Sequence, residues 1–248
     1  MGAGALAWFV GNVLWSAGVP IHRTVSWFGA FLLLTIVGER LELSRLARPG
    51  SMSQGAFLAA VAVYLIGLLL VSRSPEIGLR LEGLGMLGLA LWLVRFDIAR
   101  HTVRLTGLTR FIAISLLSGY VWLGISGSLW ILFGEATAGP FYDAKVHALF
   151  LGFVFAMIFA HAPIILPAVL GGSPIPYRAD FYVPLALLNL SLIVRLSGGI
   201  GGRSEVRQWG ALLGVVAVLA FVGNTTRTAV ETRQTYRGHG PRGRLPES

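Results

Sequence analysis

Two histidines, His147 and His161, stand 14 residues apart in the almost uninterrupted apolar run "KVHALFLGFVFAMIFAHAP" (145–163), in a chain with only five histidines. On a continuous helix that spacing amounts to roughly 21 Å of rise and about 40° of rotation, so both rings share one face. An imidazole facing lipid is costly, which assigns such positions to a bundle interior, a water-filled cavity or a cofactor. Haem is the cofactor that suits them best, because neutral imidazole is a good axial ligand for iron and Leu, Val, Phe and Ile can wall a porphyrin. The alternative is that each ring only hydrogen-bonds a carbonyl or hydroxyl on a neighbouring helix.

The elements that must position these rings follow from composition. The 248 residues are 55% hydrophobic and 12% charged, and apolar runs recur along the whole chain, as expected of an all-α, polytopic transmembrane helix bundle in a lipid bilayer. Spans are expected near 1–19, 23–43, 54–72, 77–94, 108–133, 144–170, 181–197 and 207–223, eight helices with seven as the alternative count. Met1 to Val19 carries no charge and reads as a first span, not a cleavable signal, although a chain starting so abruptly also fits a fragment of a longer ancestor. The bundle is expected over 1–230 and a polar, disordered cytoplasmic tail over 231–248. Arg80 and Glu82 interrupt the start of the fourth span and must snorkel, pair with each other or face protein.

Cysteine is absent, which excludes disulfides, thiolate metal sites and Cys-ligated iron–sulfur clusters. The net charge of +9 suits anionic lipid and topology better than nucleic acid, because the arginines lie in short loops and the tail. With eight spans, one side carries 13 of the 20 Lys and Arg, so the positive-inside rule puts both termini of this cell-membrane protein in the cytoplasm. His147 then lies near the outer surface and His161 in the cytoplasmic third, before Pro163 and Pro167, which are expected to kink or loosen the helix. By side, the second axial ligand of a haem b is His22 for His147, or His101 for His161, and the first pair is the better one. No catalytic residue is assigned.

The stretch "DAKVHALFLGFVFAMIFAHAPIILPAVLG" (143–171) resembles the helix of haem-copper oxidase subunit I that carries a haem-ligating histidine, and it is similar to membrane proteins of the NnrS type. The resemblance covers 143–171 alone. It implies His147 as a haem ligand, with Leu151, Gly152, Phe153 and Pro167 as packing and helix-ending elements. The pattern departs where a His-x-His pair is expected, since Lys145 stands two residues before His147. There is also no His-Pro-Glu-Val-Tyr stretch and no adjacent His-His pair, so an oxygen- or nitric-oxide-reducing copper centre is not implied.

Arg195, late in the seventh span, is a cation at the level where the propionates of a haem on His147 would sit. Asp143 and Lys145 are expected to mark the outer boundary of their helix. "GERLELSR" (38–45) offers Glu39, Arg40, Glu42 and Arg45 as interfacial ion pairs or a proton-entry or docking site, with Glu42 and Arg45 placed to pair. The glycines of 83–92 and 119–130 include small-xxx-small spacings that allow close helix packing. These features imply a b-type haem protein for electron transfer or haem-linked sensing, alone or as a subunit of a larger complex with a redox partner. A transporter or channel whose broken sixth helix lines a pathway is the alternative from a different class, and a structural or assembly subunit is a third. The transporter lacks a clear acidic residue deep in a span.

Overall fold

The computed structural model describes residues 2–44, 50–169 and 178–238, with side chains over 2–44, 50–166 and 178–228. It is an all-α bundle in which, among the described residues, seven helices are long and apolar enough to cross a membrane. In chain order these are α2 (Ile21–Ser44), α3 (Ser51–Leu70), α4 (Pro75–Phe96), α6 (Gly107–Phe133), a composite of α7 (Gly139–His147) and α8 (Phe155–Val169), then α9 (Tyr182–Ile200) and α10 (Ser204–Gly238). The first helix, α1 (Gly2–Ser16), packs on α2 but spans only about 22 Å, short of a roughly 30 Å hydrocarbon core. It reverses into α2 through Gly18 at φ +82°, a conformation that needs no Cβ. A short α5 (Ala99–Thr102) links α4 to α6.

Glycine decides how closely these helices approach. A Cβ on Gly83 would fall 2.6 Å from the Gly127 carbonyl oxygen, and one on Gly85 would fall 2.6 Å from Tyr64 Cα. The small residues of 83–92 and 119–130 therefore bring α4 against α6 and α3 at backbone distance, in place of side-chain interdigitation. A second body of the core lies between α8, α9 and α10, where the Phe159 and Phe221 rings stack with centroids 3.8 Å apart.

The sixth span differs from its expected form in three ways. It begins at Gly139, five residues before the expected 144, because Gly139 turns at φ +78° and Pro140 takes the first helical turn. The backbone stays helical through Pro163 and Pro167 to Val169, and the helix departs from regular α geometry at an earlier point. That point is Ala148–Val154, a π-helical stretch in which the amide of Phe155 bonds the Phe150 carbonyl five residues back. Each added residue rotates the following helix by about 100° relative to an α ladder, so His147 and His161 do not share a face. At the chain's end α10 runs to Gly238, past the point where the polar tail was expected to begin, and 239–248 lie outside the described residues.

Candidate functional site

The seam between α2, α4, α6 and the composite helix holds two polar clusters near its opposite ends. The first is built on Glu82, which α4 places two helical turns from its N-terminus and which is 0% exposed. Neither carboxylate oxygen has a partner within hydrogen-bonding distance; the buried hydroxyl of Ser26 lies beside it as its available donor, and the buried hydroxyl of Tyr64 is likewise unpartnered. Lys145 faces this group from α7, 2% exposed. Its ammonium donates to the carbonyls of Phe133 and Gly134 at the negative end of the α6 dipole, and sits 4.5 Å over the Trp130 ring and 5.5 Å from Tyr142. Lys145 is therefore an internal cation held by a helix end, not the boundary marker expected from sequence.

Above Lys145 opens a cavity of about 320 Å³, lined also by His22, Arg23, Glu76 and Glu135. Glu76 pairs with Arg80 at 2.7 Å on the exposed surface. The sequence allowed Glu82 to snorkel, pair with Arg80 or face protein, and it faces protein. An acidic residue deep in a span, which the sequence reading did not find, is thus present.

The second cluster lies near the other end of the seam. Arg40, 4% exposed, donates from Nη2 to His161 Nε2 at 3.0 Å and to Glu39 at 3.1 Å. Because a guanidinium only donates and a carbonyl only accepts, the 2.7 Å contact from His161 Nδ1 to the Met157 carbonyl fixes the proton on Nδ1. Asp97, in the loop after α4 and 0% exposed, accepts the Ala99 amide at 2.8 Å, and Arg40 and the Tyr120 hydroxyl lie beside it. Burial pushes the Asp97 carboxyl above its ordinary range, opposed by the Ala99 amide and the Arg40 charge.

His147 points to a different flank. Its Nδ1 lies 2.8 Å from the Asp143 carbonyl and so donates to it, which leaves Nε2 as an acceptor over a groove of about 310 Å³ lined by Leu151, Phe155, Arg195 and α10 residues. The Arg195 guanidinium is taken by Asp143 in a two-pronged pair at 2.8 and 2.7 Å. His22 lines the Lys145 cavity and not this groove, so no described cavity holds both members of the expected ligand pair. His101 is exposed on α5, and His161 has Arg40 on the nitrogen that an iron would need. Arg45 lies outside the described residues, so its expected pairing with Glu42 does too.

The sequence reading named Glu82 and Lys145 only as a span interruption and a helix boundary, and did not single out Asp97 or Tyr120. The available signal for Glu82 was its place in "LEGLGM", an acid beside a glycine that lets a neighbouring backbone come close. Among the described residues, no group of three or more His, Cys, Asp or Glu could hold a metal ion.

No curated protein and no solved structure matches this chain. One family model does, a domain of unknown function (DUF8744), over residues 1–230. A multi-pass helical membrane protein with a polar seam, matched over nearly its whole length, this chain belongs to the DUF8744 family.

Proposed function

We propose that the chain is a proton-coupled membrane transport protein, with Glu82 as its proton-carrying carboxylate. The observation that carries this is the enclosure of Glu82 at 0% exposure with both oxygens unpartnered. An intramembrane acid of this kind costs several kcal/mol when ionised, and such residues mark ion and proton pathways. Lys145 links Glu82 to a cavity open at one end of the bundle, and the Arg40–His161–Asp97 cluster supplies polar groups towards the other. Between them the seam is apolar, with Ala30, Leu33, Leu89, Leu123 and Phe153 all 0% exposed, as suits a barrier that opens only during turnover.

The test is a purified full-length protein in liposomes carrying a pH-sensitive dye. A proton flux above that of empty liposomes, lost in Glu82→Gln, is expected; wild-type flux indistinguishable from the mutant's refutes the reading. With α1 counted as a crossing, the charge asymmetry of the loops supports cytoplasmic termini; with only the seven longer helices crossing, the two ends fall on opposite sides, and reporter fusions at each end distinguish the two.

A b-type haem at His147, serving electron transfer with a redox partner, is the second reading, favoured by one specific observation. Its Nδ1–H is oriented by the Asp143 carbonyl, the support that an axial histidine commonly has, with Nε2 left toward an apolar groove. The residues present supply this one axial ligand; the expected second ligand, His22, and the propionate partner, Arg195, are placed otherwise. Haem would bring electron-transfer chemistry, and its presence is read directly from the optical spectrum of the purified protein. A colourless folded preparation removes this reading.

A further inference from the structure

We propose that the groove between the composite helix and α10 binds a single-tailed lipid with a neutral hydroxyl head, a quinol or a long-chain alcohol, whose O–H donates to His147 Nε2. The head end of the groove is built on His147 and Arg195, which both line it. The Asp143 carbonyl holds the proton on His147 Nδ1, so Nε2 presents a lone pair. Arg195 gives Nε and Nη2 to the Asp143 carboxylate, which answers its charge and leaves the donors of Nη1 unbonded among the described residues. One acceptor and one donor thus stand at the same end, beside an ion pair that is already balanced. A hydroxyl serves both, because it donates and accepts. A carboxylate or phosphodiester head only accepts; it finds no unbalanced cation here and leaves Nε2 unmet.

The rest of the groove calls for a tail. Its volume of about 310 Å³ is walled by Leu151 and Phe155 on one side and by Val215 and Leu219 on the other, and His147 and Arg195 are the only polar side chains in its lining. Val215 and Leu219 are 56% and 64% exposed, so the open side faces hydrocarbon in a bilayer and the ligand enters laterally from lipid. A Cβ on Gly214 would meet Leu151 Cδ2 at 3.5 Å and the Ser191 hydroxyl at 3.4 Å, so a larger side chain there would fill the floor. Leu151 itself belongs to the π-helical stretch, a backbone irregularity frequent at functional sites. A hydroxyl head asks for no second axial ligand, the requirement that haem leaves unmet at His147. The site also stands apart from Glu82 and does not depend on the transport reading.

The experiment measures saturable binding of a radiolabelled decyl benzoquinol and of radiolabelled hexadecanol to the purified full-length protein in detergent. About one molecule per chain is expected, and the tighter binder of the two identifies the head group. The dimethyl ether of the quinol, equal in ring and tail but without a donor, should bind about tenfold more weakly, and the quinol should lose as much in His147→Leu. His147→Gln, whose amide oxygen restores an acceptor, should recover part of that loss. Val215→Trp changes an exposed position and should block the groove without unfolding the bundle. No saturable binding of either hydroxyl probe, equal affinity for the quinol and its ether, or binding unchanged in His147→Leu or in Val215→Trp overturns the inference. A b-type haem spectrum of the purified protein that disappears in His147→Leu gives the groove to haem and overturns it as well.

Discussion

The two polar clusters of the seam hold similar residue types and differ in whether hydrogen bonds join their charged groups: at one Arg40 bonds His161 and Glu39, at the other the Glu82 carboxylate bonds nothing. Around Arg40, side chains from three elements are tied together: His161 accepts from the guanidinium and donates to a carbonyl, Glu39 takes a second contact, and Asp97 accepts a backbone amide, while Arg40 Nε, Asp97 Oδ2 and the Tyr120 hydroxyl keep no partner. Around Glu82, the carboxylate, the Ser26 and Tyr64 hydroxyls and the Trp130 indole lack any partner. A bonded cluster is a lock, because its free energy falls only when every member is in place. An unbonded one is a place where something arrives, since buried polar groups without protein partners are met by water, an ion or a proton.

The contrast breaks first at Arg40. Arg40→Met leaves Asp97 buried without its nearest cation and should cost about 3–5 kcal/mol, read as a large fall in the detergent melting temperature; an unchanged melting temperature would show that the cluster is not a lock. Asp143→Asn removes one partner of a less buried pair, each side chain 18% exposed, and should cost roughly 2–3 kcal/mol. Gly83→Leu pushes a side chain into the Gly127 carbonyl and should cost about 1–3 kcal/mol by overpacking, with α4 and α6 forced apart. Glu82→Gln should change stability by less than about 1 kcal/mol, because no hydrogen bond is lost, while abolishing proton flux. A stability loss there as large as at Arg40 would erase the distinction between the clusters.

The smallest effect sharpens the comparison through pH. The folded state holds the Asp97 proton more tightly than the unfolded chain does. Its contribution to stability is therefore fully present at and below the ordinary carboxylate range, and is lost as pH rises through the raised value. Melting temperatures followed upward from the ordinary carboxylate range should decline in the wild type, and Asp97→Asn should flatten that slope.

Much of this fold is legible in the sequence because lipid imposes a simple code. Seven expected spans coincide with observed helices to within a few residues, since a run of apolar residues about 20 long has no other stable use. Glycine spacing in 83–92 and 119–130 likewise announces close packing. The site is less legible, for two physical reasons. Whether Glu82 faces lipid, water or protein depends on which helices surround it, and no local pattern records that. The facing of His147 and His161 depends on a helical periodicity that changes between them, and the apolar sequence "ALFLGFV" (148–154) carries no proline or polar residue to signal it. The nearest signal is Gly152, whose absent side chain admits the Trp122 ring.

That irregular turn gives the composite helix two separate indices. Residues before Ala148 are registered on the ends of α6 and α9 by Lys145 and Asp143, and residues after Val154 on α2 by His161. Deleting one residue between 148 and 154 would act on the protein as a rotation of about 100° applied to half a helix, with nothing removed from either cluster. The damage would appear at Arg40 or at Glu82, a helix length away from the cut, according to which half yields. Length is therefore a conserved quantity of this segment in the mechanical sense, independent of which apolar residues fill it.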